Sequence, residues 1–187
     1  MTSSPSSVPA GAAEGPAEGP ASVGALPSEI AKVLDRFGRL GREEKMQSLV
    51  AYAKKLEPLP QRLVALDRAE FTVPECQTRV DLFAELEPGG GLHFYADVDA
   101  RQSPTIAAVL AIVLSAVNGR PPATTLAIPS DFVRRLMDGI GLAAREVGLN
   151  AMIQRLRRHA RAAQLMLDAG TARTAGTEDA PVLVHAP

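Results

Sequence analysis

At Arg79 the hydrophobic period of this chain changes from 3.6 residues to 2, and that change limits the folds open to it. Val80, Leu82, Ala84 and Leu86 alternate with Arg79, Asp81, Phe83, Glu85 and Glu87. After the turn signal EPGGG, Leu92, Phe94, Ala96 and Val98 alternate with His93, Tyr95, Asp97 and Asp99. Side chains along a strand point to opposite faces in turn, so two such runs about a glycine turn predict a β-hairpin with one buried face.

The rest of the chain reads as helix or tail. PSEIAKVLDRFGRL places Ser28 as an N-cap and Ile30, Val33, Leu34 and Phe37 at helical spacing. Gly38 and Gly41 interrupt the pattern, and REEKMQSLVAYAKKL resumes it with Met46, Leu49, Val50, Ala53 and Leu56 on one stripe. EPLPQRLVAL predicts a short helical turn, and DRAEFTVPECQ shows no clear periodicity. Ser103 and Pro104 form an N-cap and first-turn pair before TIAAVLAIVLSAV, which Asn118 and Gly119 end. PPATTLAI and PSDFVRRLM predict short helices, and Gly139 and Gly141 a turn. LNAMIQRLRRHARAAQLML predicts a closing helix with Met152 or Ile153, Leu156, Ala160, Ala163 and Leu167 inward. Helices, hairpin, helices, with no strand–helix–strand alternation, predict an α+β fold: a small antiparallel β-sheet packed by several α-helices. Aromatic residues are only 4% and tryptophan is absent, so the core must come from Leu, Val, Ile and Ala.

Composition shifts mark the ends. Residues 1–26 are rich in Ser, Pro, Ala, Gly and Glu, with AEGP repeated, and predict a disordered N-terminal tail. The folded unit is expected over 27–168, with a flexible C-terminal tail over 169–187 in which VLVHAP is too short to assign. The net charge of −1 gives no general drive toward nucleic acid or anionic membranes. No secretory signal is visible, and the apolar run 106–117 is short of the ~20 residues a membrane span needs. A soluble, cytoplasmic protein is expected.

Candidate chemistry centres on VPECQ (73–77), which holds the only cysteine. One thiol makes no internal disulfide and is compatible with a reducing compartment. A free cysteine often serves as a small core hydrophobe. Here Glu75 and Gln77 flank it, and Pro74 stiffens the loop. The residue types alone leave chemistry and packing both open. A hydrolase or transferase cysteine wants a histidine base. His185 lies in the tail, and His159, among arginines on the closing helix, is expected to be exposed. His93, on the polar face of the second strand, is read first as a partner of Tyr95, with an approach to the start of the first strand as the sharper alternative. A redox enzyme would want a resolving cysteine, and none exists. A sulfur relay needs one thiol, which attacks the outer sulfur of another protein's persulfide. A helical interaction module with an inert cysteine is the third reading. Arg155, Arg157, Arg158 and Arg161 are read as a solvated basic side, with a docking patch as the sharper alternative.

VPECQTRVDL resembles the active loop of the SufE family of sulfur-acceptor proteins, with its Cys-Gln-Ser/Thr core before a strand. FYADVDA (94–100), the apolar helix ending in Asn118 and Gly119, and GLAAREVGLNAMIQRLR (141–157) are similar to the family's later segments, in the same order. LGREEKMQSLVAYAKKLEPLP also fits, so the resemblance covers most of 27–165. It implies a SufE-like fold and a protein that accepts sulfur from a cysteine desulfurase, stimulates its turnover and relays sulfur to an Fe–S cluster scaffold. It implies Cys76 as persulfide acceptor, Gln77 as a residue setting the loop or hydrogen-bonding near the sulfur, and Arg145 as a loop arginine favouring the anion. Asp97 and Asp99 match the acidic segment, in a capping or a functional role. No bound cofactor is implied, since the PLP belongs to the desulfurase. Two departures stand out: Glu75 where many relatives carry glycine, and Val98 in place of the usual serine.

Overall fold

The computed structural model describes residues 26–141, 143–170 and 180–185. Apart from Leu26, the expected N-terminal tail lies outside these residues. The chain forms α1 (Ser28–Arg39), α2 (Arg42–Ala53), α3 (Gln61–Val64), a 3-10 turn (Arg68–Glu70), β1 (Asp81–Leu86) and β2 (Leu92–Asp97). It continues through α4 (Pro104–Val117), α5 (Pro122–Leu126), α6 (Phe132–Met137), α7 (Ala143–Asp168) and β3 (Val182–Leu183). The fold is α+β, with an antiparallel sheet in the order β2-β1-β3.

Helix α4 is the centre. Of its residues only Pro104 and Ser115 reach solvent, and α1, α2 and the face of β2 pack around it. Its apolar run is core, as its length predicts, and no described helix is long and apolar enough to cross a membrane. Asn118 ends the helix and turns its side chain on the sheet. Its Nδ2–H donates to the Phe94 carbonyl, and its Oδ1 accepts the Phe94 N–H, both at 3.0 Å. The Leu92 N–H donates to Arg120 O at 2.9 Å, and Leu92 O accepts the Gly119 N–H. Gly119 sits at φ +70°, which side-chain-bearing residues rarely adopt. The end of α4 therefore occupies the outer edge of β2.

The expected hairpin is present, but β1 is buried on both faces. Leu82, Ala84 and Leu86 face the main core. Phe83, in the register expected to be polar, stacks on Phe71 at 4.5 Å and joins Leu63 in a second cluster that Leu59, Leu66, Tyr95 and Leu183 border. The carboxylates on that face are paired. Arg62 grips Glu85 through two bonds of 2.9 and 2.6 Å, and Arg68 donates both to Asp81 (3.1 Å) and to its cross-strand neighbour Asp97. Two facing carboxylates would repel; Arg68 between them removes that cost.

The second edge of β1 is shared by two short segments. Thr72 bridges Asp81, the Val73 N–H donates to Val80 O, and the Leu82 N–H donates to Phe71 O, both at 2.9 Å. Further along, Leu183 pairs with Glu85, Val182 with Leu86, and the Val184 N–H reaches Ala84 O at 2.8 Å. Both segments run antiparallel to β1, so 182–185 and 71–73 form a composite strand laid end to end. Within the tail expected to be flexible over 169–187, Val182–Leu183 form an ordered strand and Val184 is fully buried; residues 171–179 and 186–187 lie outside the described residues.

Several local expectations change. Pro27, not Ser28, is the N-cap of α1. On α2, Leu49 and Ala53 are buried as expected, but Met46 and Val50 face solvent and Lys45 takes the inner position. The stem of Lys45 lies along the core while its Nζ–H donates to Asp138 O at the end of α6, 2.7 Å away. Met152 and Ile153 are both buried, as are Leu156, Ala160 and Ala163.

His159 is not exposed. It retains 1% of its surface, and its Nδ1–H donates to Val184 O at 3.1 Å. It follows Met152 and Leu156 on the apolar side of α7, which overrides the arginines beside it in sequence. Burial, aided by Arg155, pushes its pKa down to about 4. In the unfolded chain it titrates at about 6.5, so as pH falls the unfolded state takes the proton first. This contribution to stability is complete above pH ~6.5 and is lost as pH falls toward ~4, by about 3 kcal/mol. The urea midpoint should fall over that window, and His159→Gln should flatten the fall.

Candidate functional site

Cys76 lies in a loop that the sequence closes twice. The Cys76 N–H donates to Val73 O at 3.3 Å, making a tight turn over 73–76 with Pro74 at its second position, where a fixed φ is an advantage. The bond from Val73 N–H to Val80 O then pins the base of the loop to the start of β1. Thr78 Oγ1 lies 3.0 Å from Ser103 Oγ and ties the far side of the loop to the start of α4. Ser103 is at the N-cap position, as its sequence context predicts, but its side chain makes no capping bond. The turn into α4 is shaped by Asp99, whose Oδ1 accepts the N–H groups of Arg101 and Gln102 and whose carbonyl accepts that of Ser103. Asp99 therefore closes the turn that precedes α4 and does not cap the helix itself, and Asp97 is engaged by Arg68.

The floor beneath the thiol is α7. A Cβ built on Gly148 would stand 3.4 Å from Cys76 Sγ and 3.5 Å from its Cα, so the helix touches the cysteine through a glycine. Cys76 is half-buried and opens onto a cavity of about 610 Å³. Gln77, Gln102, Ser103 and Arg145 bring polar groups to its wall, while Ile106 and Val147 supply apolar surface. Cys76, Gln77 and Arg145 thus line one cavity. Arg145, expected in a loop, stands instead in the first turns of α7, which begins at Ala143. Both it and Gln77 are exposed.

Glu75 has a counterpart that the sequence did not reveal. Arg155 donates to Glu70 O, and its guanidinium interacts electrostatically with Glu75. Burial lowers the pKa of Arg155, Arg158 adds to that, and Glu75 opposes it. The arginines expected as one solvated side divide in role. Arg155 and Arg157 bond to the backbone carbonyls of Glu70 and Ile128, and Arg158 and Arg161 remain exposed.

His93 does not reach the cysteine. It pairs with Glu85, four residues along β1 from Asp81, so ~13 Å of strand separates it from the end where the Cys76 loop joins. Its ring packs on Tyr95 at 4.6 Å, and its Nε2 is 3.2 Å from Glu57. The reason is register: a hairpin brings His93 beside the end of β1 near the turn, and Asp97 beside its start. His185 lies 3.2 Å from Glu70, and His159 is enclosed under β3. Among the described residues no group of three or more His, Cys, Asp and Glu side chains is placed to hold a metal ion.

A family model described as "SufE: Fe-S metabolism associated domain" matches residues 31–160. An uncharacterized SufE-like protein of Mycobacterium tuberculosis is 33% identical over 146 residues, covering 74% of this chain and 96% of its own length. The sulfur acceptor protein CsdE of Escherichia coli is 30% identical over 115 residues, which is 59% of this chain and 72% of that one. The solution structure of a hypothetical protein from Thermus thermophilus superposes with a TM-score of 0.65 at 28% identity, over 75% of this chain and 99% of that one.

The contact of Gly148 with Cys76 separates two substitutions. Gly148→Ala adds a methyl at ordinary contact distance and replaces a glycine inside a helix, so stability should rise by about 0.5–1 kcal/mol. Its iodoacetamide labelling of Cys76 should stay close to the parent rate. Gly148→Leu needs space that Cys76 occupies and should change that rate severalfold. Thermal midpoints and timed labelling read both.

Proposed function

The chain belongs to the SufE family, the Fe-S metabolism associated domain, and on that premise we propose that it is a sulfur carrier with Cys76 as the persulfide acceptor. The observation that carries this reading is the half-buried thiol on the wall of a cavity, in a loop fixed at the Val73–Val80 bond and backed by Gly148. A thiolate there attacks the outer sulfur of a persulfide on a cysteine desulfurase. The new S–S bond forms on Cys76, the donor's S–S bond breaks, and the donor cysteine leaves as thiolate. The chain then holds the sulfur as a Cys76 persulfide until an acceptor thiolate takes it by the same exchange.

The surroundings support each part of that step. The cavity has the size of a small-ligand site, enough for the tip of a partner's loop. Arg145 at its wall offers positive charge to an anionic sulfur, and Gln77 an amide. Arg155 interacts electrostatically with Glu75, the acid next to the thiol. One cysteine in the whole chain leaves the carried sulfur no internal disulfide to end in. In this reading the partners are a PLP-dependent cysteine desulfurase, whose turnover the carrier stimulates, and an Fe–S scaffold that receives the sulfur, in the cytoplasm. The carrier itself binds no cofactor, nucleic acid or membrane. The sulfur acceptor role that CsdE is named for agrees with this reading. The thiol hydrolase alternative loses its base, because His93 is at the other end of β1.

Incubation with the cognate desulfurase, cysteine and PLP should add one sulfur to the intact mass. The adduct should vanish on reduction and be absent in Cys76→Ser, and desulfurase turnover should rise severalfold with the parent chain. No adduct together with unchanged turnover would overturn the reading.

A further inference from the structure

The matched family span ends at residue 160, yet the described chain continues to a strand at 182–183 that completes the sheet. That strand and the stem of the Cys76 loop occupy one edge of β1 in succession, and they meet over Phe83. Leu82 N–H reaches Phe71 O from one side of Phe83, and Ala84 O accepts Val184 N–H on the other. At the junction the His185 ring lies 5.7 Å from that of Phe71, and its Nδ1 lies 3.2 Å from the Glu70 carboxylate. Phe71 in turn stacks on Phe83. One side of α7 holds both halves. His159 bonds to Val184 O, Arg155 to Glu70 O, and Gly148 touches Cys76.

We propose that the C-terminal strand positions the Cys76 loop, with Val184 as its anchor and His185 as the contact that holds the 71–73 stem against β1. The proposal rests on the sulfur-carrier reading for its purpose: a docked strand keeps Cys76 against Gly148, and a released strand frees the loop to carry its sulfur outward. Few hydrogen bonds hold the strand, and short peripheral segments open locally far more often than a core does. The stem shares its end with that segment through Phe71 and Glu70, so opening at one is felt by the other.

The test uses the full chain and needs no desulfurase. Val184→Asn places a polar group in the core and should release the strand; His185→Ala removes only the junction contact from a largely exposed side chain. In both, iodoacetamide should label Cys76 faster by about threefold or more, and the Val73 and Leu82 amides should exchange faster under native conditions. His185→Phe keeps a ring beside Phe71 and should stay near the parent rate. Ile112→Val, a core change remote from the strand, should lower the thermal midpoint without speeding the labelling. The proposal is overturned if Val184→Asn speeds exchange at the residue 184 amide alone, or if Ile112→Val speeds labelling as much as His185→Ala. Either result leaves the persulfide mass gain, which decides the sulfur-carrier reading, untouched.

Discussion

The strand Asp81–Leu86 has no solvent face and no free edge along most of its length. A strand in that position needs apolar partners above and below and backbone partners on both sides, because an unpaired buried peptide group costs as much as a lost hydrogen bond. Those demands place most of the molecule. The main core under Leu82, Ala84 and Leu86 fixes α4 and α7. The opposite face needs Phe71 and Leu63 over Phe83, and arginines over Asp81 and Glu85. The free edge needs residues 71–73 and 182–184. The cysteine loop is what lies between residue 73, bound to that edge, and residue 80, where the strand is entered.

In the proposed role the Cys76 nucleophile must be held for attack and still be reachable. Here the restraint falls on the flanks: a proline turn before the cysteine, a Thr78–Ser103 contact after it, and a glycine behind it. Among the described residues the thiol makes no polar bond that would have to break. Charge is treated similarly. Glu75 follows the proline of the turn, and the charge of Arg155 on α7 interacts with it electrostatically.

The sequence carried what depends on local period and residue type. The two alternating runs predicted β1 and β2, the apolar run predicted α4, and the polar setting of Cys76 marked its loop. What escaped depends on distant partners. Phe83 sat in the outward register because nothing near it in sequence shows that Phe71 covers that face. His159 and Lys45 look like surface residues by type. His159 could have been found from its spacing of seven from Met152 and three from Leu156 on the inner stripe of α7. Lys45 shares the spacing of Leu49 and Ala53, but its acceptor is the carbonyl of Asp138, far along the chain. A two-residue strand leaves too short a pattern to detect, and its pairing with β1 spans nearly a hundred residues. The pairing of His93 with Tyr95 was legible from the polar face of β2, whereas the alternative that brought His93 near the cysteine paired the hairpin's ends in the wrong sense.

The side chain of Asn118 has a consequence beyond ending α4. Its amide offers Phe94 one donor and one acceptor at 3.0 Å, the same pair a neighbouring strand would present. With the Gly119 and Arg120 backbone on Leu92, it acts as a counterfeit strand two residues long. An open edge is a template on which a second copy can stack, and such growth is the first step to fibres. On this flank the sheet is already terminated by a helix end, so crowding many copies together offers them no ladder to extend there.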